Sequence, residues 1–268
     1  MKIGFSGQAL GGSMPFKDIC VMGKKYGMTT CEIWDCNAEG KGHGYINRDI
    51  KKLISVIKDE AMTVECVTLG SAFDSSAVSD ISFYVKLLNN TIEVAAELGA
   101  RCVNHYCASI SYTEADYGRM EQFWNEPIKT AEYNGITLVL ENEAHDATKT
   151  PDRMAKIMEY FNNKYFKTNL DVTNYYQAEC DGFPDAYETL KNHIGYVHLK
   201  NARRYPDGFR YVPIPDGAVN IGGLVTKLIE DKSYDGLCTL EPHVSGSLVE
   251  SYYARESSWL YNLLKNNI

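Results

Sequence analysis

At 268 residues, with 44% hydrophobic and 23% charged side chains, the chain can bury a substantial core and is not disordered by composition. A formal net charge of -8 argues against a nucleic-acid partner, because neutralising phosphates takes a basic surface, and makes small molecules the expected ligands. Met1 to Gly7 is too short in apolar residues for a signal peptide and no apolar run of about 18 residues occurs, so the reading is a soluble protein with no membrane partner.

Strand-like and helix-like stretches alternate from the start. Lys2 to Phe5 is a short apolar run, and Pro15 to Gly27 carries proline near its start and glycine at its end, the punctuation of a helix. Thr29 to Trp34 reads as a strand. Asp49 to Ala61 places Ile50, Leu53, Ile54 and Ile57 at helical spacing, and Met62 to Leu69 is strand-like again. Ser79 to Leu98 repeats the helical stripe through Tyr84, Leu87, Leu88, Ile92 and Ala95. Arg101 to Cys107 makes a fourth strand, followed by a helix over Thr113 to Tyr133.

The second half keeps this rhythm. Gly135 to Glu141 predicts a strand, and Thr150-Pro151-Asp152 opens a helix carrying Met154, Ile157, Met158 and Phe161. Phe166 to Asp171 predicts a strand and Asp185 to Asn192 a shorter helix. Ile194 to Lys200 alternates, so Tyr196, His198 and Lys200 share one face and Val197 and Leu199 the other. A long loop is expected from Asn201 to about Ala218, then a helix through Ile221, Leu224 and Leu228. Gly236 to Glu241 reads as the last strand and Ser251 to Leu264 as the last helix.

Eight strand-helix units imply parallel pairing through right-handed crossovers, and with no linker between them they fit one α/β domain over 1–268, a closed (β/α)8 TIM barrel. A doubly wound sheet is the rival. It is weakened because Gly7, Gly11 and Gly12 do not make the dinucleotide spacing after the first strand. The cysteines at 20, 31, 36, 66, 102, 107, 180 and 238 show no zinc-knuckle or redox spacing. Scattered, reduced thiols fit a cytoplasmic protein.

In a barrel, chemistry belongs at the carboxyl ends of strands. Here those ends carry Glu141, Asp171, His198 and Glu241, the oxygen and imidazole donors that a hard-to-borderline divalent cation accepts. A single glutamate at a strand end is more often a capping or solvated group. Four titratable groups around one mouth are costly without a cation between them. Glu32 and Trp34 share a face of the second strand, where the ring could be plain packing. His105 ends the fourth strand, either at the pocket or as a satisfied core histidine. His43, His145 and His193 read as surface residues.

Leu138-Val139-Leu140-Glu141-Asn142, Asn169-Leu170-Asp171-Val172-Thr173-Asn174, Gly195-Tyr196-Val197-His198-Leu199-Lys200 and Gly236-Leu237-Cys238-Thr239-Leu240-Glu241-Pro242-His243 together resemble the sugar phosphate isomerase/epimerase superfamily. This is the xylose isomerase-like TIM barrel group that includes ketose 3-epimerases and inosose dehydratases. The resemblance covers essentially the whole chain. It implies a divalent metal, often manganese with magnesium, cobalt or zinc as alternatives, on Glu141, Asp171, His198 and Glu241. It also implies that the two glutamates act as the acid/base pair. The chain departs from the pattern at Asn201, where aspartate commonly follows the lysine, and at Asn174, where a histidine often stands. Arg204 has the spacing of a substrate-reaching arginine, with Arg203 beside it.

The expected activity is isomerisation or epimerisation of a ketose or keto-polyol through an enediolate. Glu141 and Glu241 are expected to face each other across the mouth, with four strands between them on one side and three on the other. Lys200, His105, Asn174, Arg204, Glu32 and Trp34 are the candidate substrate-binding residues. The same groups would serve an inosose-dehydratase-like or keto-glycoside lyase reaction that expels a β-hydroxyl. A metal-dependent phosphodiesterase like endonuclease IV lacks its histidines and basic groove here, and a carbohydrate-binding barrel has no need of opposed carboxylates. The loop from Asn201 to Ala218 is expected to close over a ligand or to meet a neighbouring subunit of a homo-oligomer.

Overall fold

The computed structural model describes residues 2–10, 14–35, 49–70, 80–107, 116–231 and 234–267. Eight parallel strands close into a barrel: β1 (Lys2–Ser6), β2 (Thr30–Trp34), β3 (Thr63–Thr68), β4 (Cys102–Tyr106), β5 (Thr137–Glu141), β6 (Phe166–Leu170), β7 (Ile194–Leu199) and β10 (Leu237–Leu240), with β1 pairing β10. Helices α1 (Phe16–Lys25), α2 (Ile50–Asp59), α3 (Ile81–Leu98), α4 (Tyr117–Asn134), α5 (Pro151–Phe161), α6 (Val172–Gln177), α7 (Tyr187–Leu190), α8 (Ile221–Glu230) and α9 (Val249–Asn267) run between and after them. The TIM barrel expected from the alternation is the observed fold.

Local chemistry sets the element ends. Asp49, Asp80, Thr150 and Asn220 each accept a backbone N–H of the first helical turn through their side chains, satisfying donors that a helix start leaves open. Helices α3 and α4 both stop at a glycine in the left-handed conformation, Gly99 and Gly135. The expected helix starts at Ser79 and Thr113, and the positions of Gly11, Gly12, Cys36 and His43, lie outside the described residues.

The period-2 alternation of the strands separates two cores. Val103, Leu138, Leu140, Val197 and Leu199 face outward and pack with helix residues such as Trp124, Met154 and Leu224. Cys66, Cys102, Val139, Tyr196 and Leu237 form the inner cluster that fills the barrel, so it is packed and not a pore. Register shifts between Cys31 and Glu32 and between Thr168 and Asn169 re-aim the residues that follow, as bulges do near sites. Two of those residues, Glu32 and Asn169, reach the mouth. Among the described residues no helix is long and apolar enough to cross a membrane.

Two sequence expectations need correction here. The segment after Lys200 is not a long loop, because Asn201–Tyr205 (β8) pairs antiparallel with Gly208–Val212 (β9) as a separate hairpin. Pro206-Asp207-Gly208 supplies the turn, with Gly208 at a φ of 136°, and the flanking aromatic and arginine residues alternate as strands require. The helix expected around Asp185 to Asn192 is present as a π turn over Gly182–Ala186 running into α7, and a short helix that the sequence reading missed, α6, starts directly after Asp171.

A candidate metal centre at the barrel mouth

Each of Glu141, Asp171, His198 and Glu241 places one ligand atom within 4.8 Å of the other three. Glu141 is the last residue of β5, and Asp171 and Glu241 follow β6 and β10 by one position, so the fold alone draws the set together. All four side chains are buried. The strand count between the glutamates differs from expectation: β6 and β7 separate Glu141 from Glu241 on one side and four strands on the other. They therefore converge on one flank of the mouth instead of standing diametrically opposed.

His198 is the hub. Its Nε2 lies 2.7 Å from Glu32 Oε2, and its Nδ1 lies 3.0 Å from Glu141 Oε1 and 3.3 Å from Glu241 Oε2. An ionised carboxylate can only accept, so Nε2 donates to Glu32 and Nδ1 is the atom left to serve as a ligand. Ser6 and Thr68 hydroxyls donate to Glu32 Oε1 at 3.3 and 2.8 Å and fix that carboxylate. Burial works against an imidazolium, but Glu141, Glu241 and Glu32 outweigh it and hold His198 well above the ordinary histidine range.

Beneath the set lies an amide ladder. Asn169 Nδ2 donates to Asn104 Oδ1 at 3.1 Å, and Asn104 Nδ2 donates to Glu141 Oε2 at 2.9 Å. Asn142 Nδ2 donates to the Asp171 carbonyl while its Oδ1 accepts from the Asp171 N–H, both at 2.8 Å, tying the ends of β5 and β6. Asp171 Oδ1 caps α6 by accepting from the N–H groups of Thr173 and Asn174, which leaves Oδ2 turned to the mouth.

Lys200 occupies the space beside Oδ2. Its ammonium is 2.6 Å from Asp171 Oδ2, 3.0 Å from Glu241 Oε2 and 3.2 Å from His243 Nε2. Burial alone would strip the charge, but Asp171 and Glu241 keep the amine protonated well above the usual lysine range. Burial likewise penalises the Glu241 carboxylate, yet His198 and Lys200 hold it well below the usual range.

The remaining candidates divide. Glu32 belongs to the centre through His198. Trp34 is half-buried, donates from Nε1 to Ser6 Oγ at 2.9 Å, and its ring centroid lies 6.1 Å from that of Tyr106. Asn174 is buried beside the set, but its Nδ2 is spent on the Asn142 carbonyl and the Glu143 carboxylate.

His105 does not join the mouth. Fully buried, it sits among the outward-facing residues, with Nδ1 2.9 Å from the Val139 carbonyl and the ring against Trp124 and Phe166. Burial there pushes its pKa down to about 3, so it is a neutral packing ring. One strand position decides this, since Asn104 and His105 face opposite sides.

Arg204 lies on the hairpin, where its guanidinium sits over Tyr176 and Phe209. It donates to the Tyr176 and Gln177 carbonyls and pairs with Glu179. It therefore braces the hairpin on α6 and makes no contact with the four-residue set.

Sequence reasoning missed Asn104, Asn142, Asn169, Glu143, Tyr211 and His243. Glu143 accepts from Asn174, and burial together with Glu141 pushes its carboxyl up. Tyr211 stacks on His243 with ring centroids 4.5 Å apart, and burial pushes its hydroxyl up to about 12. The available signals were the position of His243 two residues past Glu241, and the alternation after Pro206-Asp207-Gly208 that places Tyr211 on the face of Phe209 and Arg204.

A profile of the xylose isomerase-like TIM barrel family matches residues 22–263. The chain belongs to that family. The likeness extends to solved structures of this fold. The probable 3-DHS dehydratase AsbF, involved in petrobactin synthesis, from Bacillus anthracis superposes with a TM-score of 0.76 at 17% identity, covering 98% of this chain and 99% of that one. A D-tagatose 3-epimerase-like protein gives 0.75 at 20% identity, covering 100% and 98%. A xylose isomerase-like TIM barrel protein from Mycobacterium smegmatis in complex with magnesium gives 0.75 at 16% identity, covering 99% and 97%. At these identities the likeness establishes the family's barrel architecture. No curated protein matches the chain in sequence.

Proposed function

We propose that the chain is a divalent-metal-dependent sugar isomerase or epimerase, acting on a ketose or keto-polyol in the cytoplasm. The observation that carries this is the gathering of three buried carboxylates, Glu141, Asp171 and Glu241, with His198 so that one ligand atom of each lies within 4.8 Å of the others, while Glu32 fixes the ring from behind. Three carboxylates and one imidazole suit manganese or magnesium, and a backing carboxylate is the usual partner of a ligating histidine. The D-tagatose 3-epimerase-like neighbour and the magnesium complex support the reading. All seven described cysteines are free, as a reducing compartment requires.

Glu141, Asp171, His198 and Glu241 would hold the ion, which when bound would polarise a carbonyl and its neighbouring hydroxyl and stabilise developing negative charge. Glu141 removes the proton from the carbon between those oxygens, and a proton that Glu241 takes up from solvent is returned on the other face. Their placement on strands separated by β6 and β7 gives each a different approach. The Lys200 ammonium donates to a substrate oxygen. Trp34 and Tyr106 on one side, with Tyr211 and His243 on the other, supply aromatic walls of the kind that pack on sugar C–H faces.

A second reading, dehydration of a keto-polyol or keto-glycoside, uses the same proton abstraction followed by loss of a β-hydroxyl. The adjacency of Lys200 and His243 favours it as a source of the proton for the leaving oxygen, and the probable dehydratase among the neighbours accords with it.

The test is solvent deuterium exchange into ketoses and keto-inositols by the manganese-loaded protein, read together with absorbance of an unsaturated product. Exchange lost in both Glu141→Gln and Glu241→Gln is the expected result, because an amide cannot take the proton. Exchange surviving in both variants sinks the assignment. A rise in absorbance without epimer formation selects the dehydratase.

A further inference from the structure

The ammonium of Lys200 lies against the carboxylate oxygens that a cation would need. Asp171, whose Oδ1 caps α6, points Oδ2 at Lys200 Nζ, 2.6 Å away, and Glu241 Oε2 lies 3.0 Å from the same nitrogen. Glu141 Oε1 is 3.9 Å off. Three of the four members of the candidate metal set therefore surround a side-chain cation that is itself buried, with 2% of its side chain exposed. A divalent ion and an ammonium cannot both sit within hydrogen-bond range of the same two oxygens without strong like-charge repulsion.

Resting on the metal-site reading above, we propose that Lys200 is a resident stand-in for the ion. It neutralises Asp171 and Glu241 while the centre is empty of metal, and it gives up both oxygens when a divalent cation binds. Uncompensated buried carboxylates are strongly destabilising, so a centre of this kind needs some cation at all times. A lysine on a flexible four-carbon stem can supply one that moves.

Its way out is already marked. Nζ lies 3.2 Å from His243 Nε2 and 5.8 Å from the centre of the Tyr211 ring, both toward the hairpin side of the mouth. A change in the last side-chain torsions carries Nζ off the two carboxylates while keeping its contacts with His243 Nε2 and the ring face. The released ammonium then points at the space a substrate oxygen would take. Loading the centre and arming Lys200 become one event, and the backbone stays still, because the Lys200 carbonyl is tied to the Thr173 hydroxyl at 2.7 Å.

The experiment is calorimetric titration of Mn2+ into wild type and Lys200→Met, with Lys200→Gln as the second variant should the first fail to fold. A crystal structure of the Mn2+-loaded wild type completes it. Removing the competing cation is expected to tighten Mn2+ binding by roughly tenfold or more, and the gain in Tm on adding Mn2+ is expected to be larger in the variant. In the loaded structure Nζ is expected to lie beyond hydrogen-bond range, roughly 3.5 Å, of Asp171 Oδ2. Mn2+ uptake by wild type with equal or weaker uptake by the variants overturns the stand-in role and leaves the metal site intact, as does a loaded structure with Nζ still on both carboxylates. No uptake by any of the proteins overturns the metal site and this proposal with it.

Discussion

His198 and Glu32 are 166 positions apart in the chain, yet their side chains meet at 2.7 Å in the floor of the mouth. The contact joins β7 to β2 across the barrel and settles which imidazole nitrogen faces the carboxylates. Glu32→Gln removes one of the three charges, with Glu141 and Glu241, that keep the ring basic, and lets an amide N–H face Nε2. Mn2+ affinity is expected to fall about 10- to 100-fold while the fold is kept. Calorimetric titration against wild type checks it, and an unchanged dissociation constant would mean that Glu32 does not support the histidine as a ligand.

Asp171→Asn separates the two duties of that side chain. The amide oxygen can still accept from Thr173 and Asn174 and cap α6, but the cation-facing atom loses its charge. Far-ultraviolet circular dichroism is expected to be unchanged. The metal-induced rise in Tm, worth about 2.7 kcal/mol at a ligand concentration of 100 times Kd in a competent site, is expected to vanish. A rise equal to that of wild type would remove Asp171 from the ligand set.

Glu256 on α9 makes stability depend on pH. Its Oε1 accepts the Ile214 N–H at 3.2 Å, and burial pushes its pKa from 4.5 up to about 8. Because the folded value is the higher one, the native carboxyl stays protonated while the unfolded chain ionises. The contribution is complete below about pH 4.5 and is lost as the pH rises to 8, a change on the order of several kcal/mol. Glu256→Gln keeps an acceptor for Ile214 and cannot titrate. The Tm of wild type is expected to fall relative to the variant between pH 5 and 8, and parallel curves would show that Glu256 does not carry the effect.

Asn201 explains its own departure from the aspartate that the sequence pattern leads one to expect. Its Nδ2 donates to the carbonyls of Ile214 and Val219 at 3.0 and 2.9 Å, and its Oδ1 accepts from the N–H groups of Ala202 and Val219. Gly217 must lack a side chain here, since a Cβ would come within 1.8 Å of Asn201 Cγ. A carboxylate could only accept, so Asn201→Asp would leave two carbonyls unsatisfied. The variant is expected to be less stable by about 2–4 kcal/mol in urea unfolding, and a loss under roughly 0.5 kcal/mol would mean that water replaces the amide.

The barrel was legible because its strands are written in period 2 and its helices in period 3.6, each closed by a capping residue or a glycine such as Gly99. The four candidate ligands could be found because each sits at or just past a strand end, which is a position in the chain. His105 sits at such an end too, and one residue of phase turned it outward against Trp124. What stayed hidden depends on distance across the fold. Asn104, Asn169 and Glu32 support the centre from β4, β6 and β2, and no local spacing connects them. Tyr211 was concealed because a turn-and-strand signal was absorbed into an assumed loop.

The hairpin leaves the barrel after Lys200 and rejoins it at the Asn201 latch, without contributing a single pairing to the eight-strand ladder. Residues 202–213 therefore behave as a cassette. A lineage, or an engineer, could exchange that segment and rebuild the wall made by Tyr211 while Glu141, Asp171, His198 and Glu241 stay in place. New substrate preferences could then arise without the protein having to evolve a metal site again.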